Sequence, residues 1–223
     1  MTAMLSLDRV SRRYGDRRVL SNVSFAVAAG EVVGVIGPNG AGKTTMLRIA
    51  VGLLRADEGR VDVQVATGSH AARGRAVGYF AGESTIPPAV RERRWRGLFH
   101  DTERRASNRA VRTLSRGTRQ LLGLRTLFAL EGLRLIVLDE PWEGLDPDAA
   151  RWLTAAIESR RDGGAAVLVS SHRLHDLAGV CGRYLFLDRG TTTCVNARDL
   201  QSEGQVTGEA LMEAFDLVRG VKR

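Results

Sequence analysis

Glu31-Val-Val-Gly-Val-Ile-Gly-Pro-Asn-Gly-Ala-Gly-Lys-Thr-Thr45 is the stretch from which the fold is read. Glu31 to Ile36 has the length and apolar character of a buried strand, and the helical pattern Met46 to Leu54 follows Thr45. Between them, Gly37 to Thr45 fits G-x-x-x-x-G-K-[ST] in the setting that gives the pattern meaning, a strand before and a helix after. Glycines let the backbone curl until successive N–H groups point inward, and the helix N-terminus adds its partial positive charge. The product is a cradle for phosphate oxygens, with Gly37, Pro38, Asn39, Gly40, Ala41, Gly42, Lys43, Thr44 and Thr45 as candidate nucleotide-binding residues. In such a cradle the Lys43 ammonium reaches the β- and γ-phosphates, and the Thr44 hydroxyl ligates Mg²⁺.

A second strand, Leu135-Ile-Val-Leu138, runs into Asp139-Glu140-Pro141. A buried parallel strand of this length carries both carboxylates to its C-terminal edge, where ligands sit in open α/β sheets. Asp139 there can hold Mg²⁺ through water, and Glu140 can polarise the water that attacks a γ-phosphorus. Taken alone, a strand ending in Asp-Glu reads equally as a solvated strand end. The phosphate loop is what gives it chemistry.

Composition sets the outer bounds. With 223 residues, 43% hydrophobic and 26% charged, the chain can bury a large core, and its length suits one α/β domain or a large lobe with a smaller one. No apolar run approaches the roughly 18 residues needed to cross a bilayer, and the N-terminus lacks the apolar core of a signal peptide, so a cytoplasmic location is expected. Cys181 and Cys194 are too few and too far apart in sequence for a disulfide framework or zinc site. The net charge of +8 would suit nucleic acid, an anionic membrane surface or a polyphosphate. Lys43 and Lys222 are the only lysines, however, and the arginines are scattered, which reads as a solvated basic surface. The exception is the cluster Arg91 to Arg96, with Trp95 inside it.

Leu114-Ser-Arg-Gly-Thr-Arg-Gln120 contains no base, metal-ligand set or strong nucleophile, and by itself reads as the capped start of a surface helix. Together with the phosphate loop, Leu135 to Glu140, Glu143-Gly-Leu-Asp146 and Ser170-Ser-His172 it resembles, in order, the motifs of the ATP-binding cassette (ABC) ATPases. The resemblance spans nearly the whole chain. It implies a P-loop α/β fold with a mainly parallel core sheet, an N-terminal antiparallel β subdomain and a short helical subdomain at about 84–125. It also implies that two cassettes pair head to tail, the signature of one closing over the γ-phosphate held by the other. Ser115 and Gly117 become nucleotide-binding residues in this scheme, a hydroxyl and a close backbone approach at a helix N-terminus. Tyr14 resembles the adenine-stacking aromatic and His172 the histidine that contacts the γ-phosphate. Catalytic candidates are then Glu140, His172 and Lys43; metal candidates are Thr44 and Asp139.

Three positions depart from the family pattern. Where a glutamine usually follows the strand Val77-Gly-Tyr-Phe80, the chain has Ala81-Gly82-Glu83, and Glu83 is either its substitute or an exposed acid. Arg116 and Thr118 stand where glycine and glutamine are usual, Arg116 either adding charge near the partner's nucleotide or facing solvent. Trp142-Glu143 replaces a small pair before Gly144. The short span from Gly82 to Leu114 carries Trp95, Leu98 and Phe99, read both as a docking surface and as core with arginines outside. The tail Ala197 to Val221 reads as a helical element packed on the core.

The resemblance implies an ATP-hydrolysing subunit of an ABC transporter, with ATP and Mg²⁺ as cofactors, separately encoded transmembrane permease subunits and a second cassette as partners, and a peripheral place at the cytoplasmic membrane face. Export is the expected direction, and nucleic acid is not an expected partner. Two other readings stay open: a cassette acting on nucleic acid or the ribosome, and a regulatory cassette with low turnover.

Overall fold

The computed structural model describes residues 3–64, 76–82, 86, 87, 89–98, 108–202 and 204–220. Glu83 and Phe99 lie outside the described residues, as does the side chain of Leu98.

Two sheets form the frame. The first joins β1 (Ala3–Tyr14), β2 (Arg17–Ala28) and β4 (Glu58–Val63) in the order β2-β1-β4, all antiparallel. The second has the order β5-β6-β7-β3-β8-β9, made by β5 (Val77–Phe80), β6 (Leu135–Asp139), β7 (Ala166–Ser170), β3 (Val32–Ile36), β8 (Arg183–Asp188) and β9 (Thr191–Asn196). Its neighbours are parallel except for the closing β8–β9 pair. The expected P-loop α/β fold with an antiparallel β part is therefore present.

The apolar runs of β3, β6, β7 and β8 are continuous because both faces of the second sheet are covered. Side chains alternate between two cores, as a strand's period of two demands. Val33, Val35, Leu135, Val137, Ala166 and Leu168 face a core shared with the first sheet and with α1 (Lys43–Ala50). Val32, Ile36, Ile136, Leu138, Val167 and Val169 face the opposite core with Leu124, Leu153 and Phe215, from α3 (Arg116–Ala129), α4 (Pro147–Asp162) and α6 (Gly208–Arg219). Burial of each such Val, Leu or Ile side chain is worth about 1.5–3 kcal/mol. Arg183 ties the two sheets together, its Nε donating to Glu31 Oε1 at 2.8 Å and its Nη2 to the Ala26 carbonyl at 2.5 Å.

Helix α1 starts at Lys43 and ends at Ala50, four residues short of the expected Leu54. The Gly52 N–H turns back to the Ile49 carbonyl at 3.0 Å, and Leu53 beyond it is 65% exposed. Within the expected helical lobe, the described residues contain α2 (Glu92–Leu98), a single 3₁₀ turn at Val111–Thr113 and the start of α3. Trp95 packs against the small cluster Ile86, Val111 and Leu122 and donates from Nε1 to Thr126 Oγ1 at 2.8 Å. The core reading of Trp95 thus holds, with Arg93 and Arg94 exposed beside it. The tail supplies a 3₁₀ turn (Ala197–Leu200) and α6, which buries Leu211 and Phe215. The short helix α5 (Leu174–Leu177) follows His172. Among the described residues, no helix is long and apolar enough to cross a membrane.

Candidate active site

The parallel register of the second sheet brings the C-terminal ends of β3, β6 and β7 to one edge, and the candidate residues hang from it. Asp139 pairs with Ser170, and Ser170 with Val35, so the strand ends stand level. Beyond β3 the chain turns through Gly37 to Gly42. Gly42 adopts φ 108° at the N-cap of α1, and a Cβ there would lie 2.9 Å from Val19 Cγ1. With no side chain at that cap, the first amides of α1 are left to an external acceptor.

A cavity of about 330 Å³ opens at this turn. Pro38 to Gly40, Gly42, Lys43, Thr44 and Thr45 line it together with Tyr14, Arg17, Val19 and Glu140. Most of the sequence-predicted loop residues are therefore in one place, with Tyr14 opposite them at the end of β1. The Tyr14 ring is 49% exposed and carries the Arg12 guanidinium at 5.0 Å from its centroid. Arg12 is held by Asp57, whose Oδ1 accepts from Arg12 Nη1 at 2.5 Å. The Arg13 N–H at Asp57 Oδ2, at 2.7 Å, and the Arg12 charge hold the Asp57 carboxyl below its ordinary range. Sequence reasoning passed over Arg17, which lines the cavity and donates to the Gly40 carbonyl at 3.2 Å.

Lys43, only 7% exposed, donates from Nζ to the Gly37 carbonyl at 2.8 Å and lies 3.3 Å from Glu140 Oε1. Glu140 is a junction. Its Oε2 accepts from the His172 N–H at 3.0 Å and lies 2.8 Å from His172 Nδ1. Its own N–H donates to Ser170 Oγ at 3.1 Å, and its carbonyl accepts from Gln120 Nε2 at 3.2 Å. Its φ of 48° is a left-handed conformation that costs a non-glycine residue about 1–3 kcal/mol and persists only where surrounding contacts impose it. Ser170 Oγ also donates to Asp139 Oδ1 at 2.7 Å, so one buried hydroxyl joins the two adjacent carboxylate residues. Beyond His172, burial pushes the Asp176 carboxyl above its ordinary value against the opposing charges of Arg173 and His175.

Ser115 and Gly117 belong to a different face. Ser115 caps α3, its Oγ accepting from the Thr118 N–H at 3.2 Å, so the capped-helix reading holds. Gly117 passes so close to Gly144 that a Cβ would collide with the Gly144 carbonyl oxygen. Neither residue lines the cavity that holds Lys43. Of the departures, Trp142 is 2% exposed and packed in the helical core, and Arg116 Nη2 meets Glu143 Oε1 at 2.8 Å; Asp146, at the end of the same loop, caps α4 through the Ala149 N–H at 2.8 Å. Gly82 follows β5 with φ 79°.

The residues fit a magnesium nucleotide. The cradle offers backbone amides and a buried ammonium for phosphate, while Thr44 and Asp139 offer the hard oxygen donors that Mg²⁺ prefers.

Comparison with known proteins agrees. Residues 20–143 match the family model described as ABC transporter. The chain is 29% identical to the lipopolysaccharide export system ATP-binding protein LptB of Acidithiobacillus ferridurans, over 97% of this chain and 100% of that protein. It is 32% identical to the daunorubicin resistance ATP-binding protein DrrA3 of Streptomyces coeruleorubidus, over 87% of this chain and 68% of that protein. Among solved structures, the ATP-binding subunit of an ABC transporter superposes with a TM-score of 0.76 at 25% identity, over 94% of this chain and 98% of that one. A dimeric cassette in a post-hydrolysis state with ADP and Pi shares the fold, with a TM-score of 0.71 at 23% identity, over 86% of this chain and 98% of that one. With the phosphate cradle, the Lys43–Glu140–His172 cluster and these relatives in agreement, the chain belongs to the ABC transporter family, as an ATP-binding subunit with ATPase activity.

Proposed function

We propose that this subunit powers export through separately encoded transmembrane permease subunits, at the cytoplasmic face of the membrane, by ATP-driven pairing of two cassettes. In this reading Tyr14 stacks on the adenine, Gly37 to Thr45 wrap the phosphates, and Lys43 neutralises the β- and γ-phosphates. Thr44 and Asp139 hold Mg²⁺, which when bound supplies positive charge to the phosphate oxygens. Glu140 takes the proton of the attacking water, and His172 orients the Glu140 carboxylate and contacts the γ-phosphate. Ser115 and Gly117 close over the nucleotide of the second cassette. Relatives named for lipopolysaccharide export and daunorubicin resistance support the outward direction.

The observation that carries the reading is the Glu140 carboxylate, held between Lys43 at 3.3 Å and His172 at 2.8 Å beside the phosphate cradle. A base must be aimed before it can work. Arrival of a phosphate gives the Lys43 ammonium a stronger partner than Glu140 and frees the carboxylate for water. Glu140→Gln removes the base but keeps the size and the hydrogen-bonding carbonyl of the side chain. Its ATPase rate is expected to fall by about 10²-fold or more, with an ATP-dependent dimer accumulating in analytical ultracentrifugation. Turnover at the wild-type rate, or a strictly monomeric variant in magnesium ATP, refutes the assignment.

A further inference from the structure

The signature stretch Leu114 to Gln120 is fastened to the turn after Glu140 at three points. The Gln120 side chain, 3% exposed, donates from Nε2 to the carbonyls of Glu140 at 3.2 Å and Pro141 at 3.1 Å. Gly117 abuts the Gly144 carbonyl. Arg116 Nη2 lies 2.8 Å from Glu143 Oε1. Arg116 and Glu143 are two of the chain's departures from the usual family residues, and they are partners in space. The short turn that begins at Glu140 therefore runs along the first two turns of α3.

We propose that Gln120 and the Arg116–Glu143 pair are positioning residues that latch the signature helix to the Glu140 turn. Seating Ser115 and Gly117 against a partner cassette's nucleotide is thereby transmitted to the Glu140 carboxylate of the same subunit. Glu140 holds φ 48° only while both its flanking peptide groups are anchored, the N–H by Ser170 and the carbonyl by Gln120. A shift of α3 pulls directly on that carbonyl. The side chains of Arg116 and Glu143 are 57% and 42% exposed, so in the lone subunit their pairing adds little to fold stability. Its effect is expected in turnover.

This inference rests on the role proposed for Glu140 and is tested by charge exchange. Arg116→Glu and Glu143→Arg are each expected to lower kcat by about two- to fivefold, with melting temperature and the affinity of the monomer for a fluorescent ATP analogue unchanged. The double exchange should restore kcat to the wild-type value. Gln120→Met, which keeps the bulk but loses the donor, is expected to lower kcat by about tenfold with KM unchanged. The latch is overturned if the single exchanges turn over like wild type, or if Gln120→Met keeps full kcat. It is also overturned if the double exchange is no better than Arg116→Glu alone, since Arg116 would then act by itself on the partner's nucleotide. Failure of the role proposed for Glu140 shows separately, in the behaviour of Glu140→Gln.

Discussion

Ser170→Ala is the most informative single change outside the phosphate loop. The hydroxyl is fully buried, donates to Asp139 Oδ1 at 2.7 Å and accepts from the Glu140 N–H at 3.1 Å. Alanine removes one oxygen, so cavity formation is minor and the cost is electrostatic. Losing a hydrogen bond to a charged group costs about 1.5–3 kcal/mol, and an amide left without an acceptor costs about 1–3 kcal/mol. The two overlap, because the turn relaxes, and a total of about 3 kcal/mol follows. For a chain of this size that lowers the melting temperature by about 6–12 °C. Turnover should fall by about tenfold, equivalent to 1.36 kcal/mol, as Glu140 loses the anchor on its N–H. Thermal melts of Ser170→Ala, Asp139→Asn and the double variant measure the bridge directly, since residues in contact give non-additive losses. If the two losses add, or if Ser170→Ala melts with the wild type, the hydroxyl is not the joint between the carboxylate residues and the reasoning fails.

The clamp behind Tyr14 is pH-dependent. Asp57 is held below its ordinary value of 3.8, chiefly by the Arg13 N–H, so the stability it contributes is present above that value and lost as pH falls through its lowered folded value. A carboxyl NMR titration should find the Asp57 midpoint below 3.8, and Asp57→Asn should lower nucleotide affinity at neutral pH but not in acid; a midpoint at or above 3.8 contradicts this. The two thiols should differ sharply. Cys194 is exposed, whereas burial pushes the Cys181 thiol up, so a thiol reagent should modify one cysteine in the native protein and two in denaturant; rapid native modification of Cys181 would rule out the packed core seen around it.

Local order along the chain was enough to reveal the phosphate cradle. A strand, a glycine-rich turn and a helix start are consecutive, and their hydrogen-bonding geometry is set by neighbours in sequence. The same holds for Leu135 to Glu140, whose apolar run predicts a strand buried on both faces. Trp142 was harder. In the sequence it stands only as a bulky residue where a small one is usual, and the tertiary packing shows that it is buried in the same core as Leu153. Arg116 reads in the sequence either as a charge for the partner's nucleotide or as a solvated one, and its pairing with Glu143, 27 residues on, shows only in the fold.

The sequence by itself determined the phosphate loop, the two carboxylates at a strand end and the family to which these motifs belong, because each is a pattern among near neighbours. Tertiary structure decided that Lys43, Glu140 and His172 meet, that Ser170 joins Asp139 to Glu140, and that Arg116 pairs with Glu143. Glu140 and His172 are 32 residues apart, and what unites them is the parallel alignment of β3, β7 and β6. Strand order and register arise from how whole sheets bury their two faces, a balance spread over the entire core that no short stretch of residues encodes.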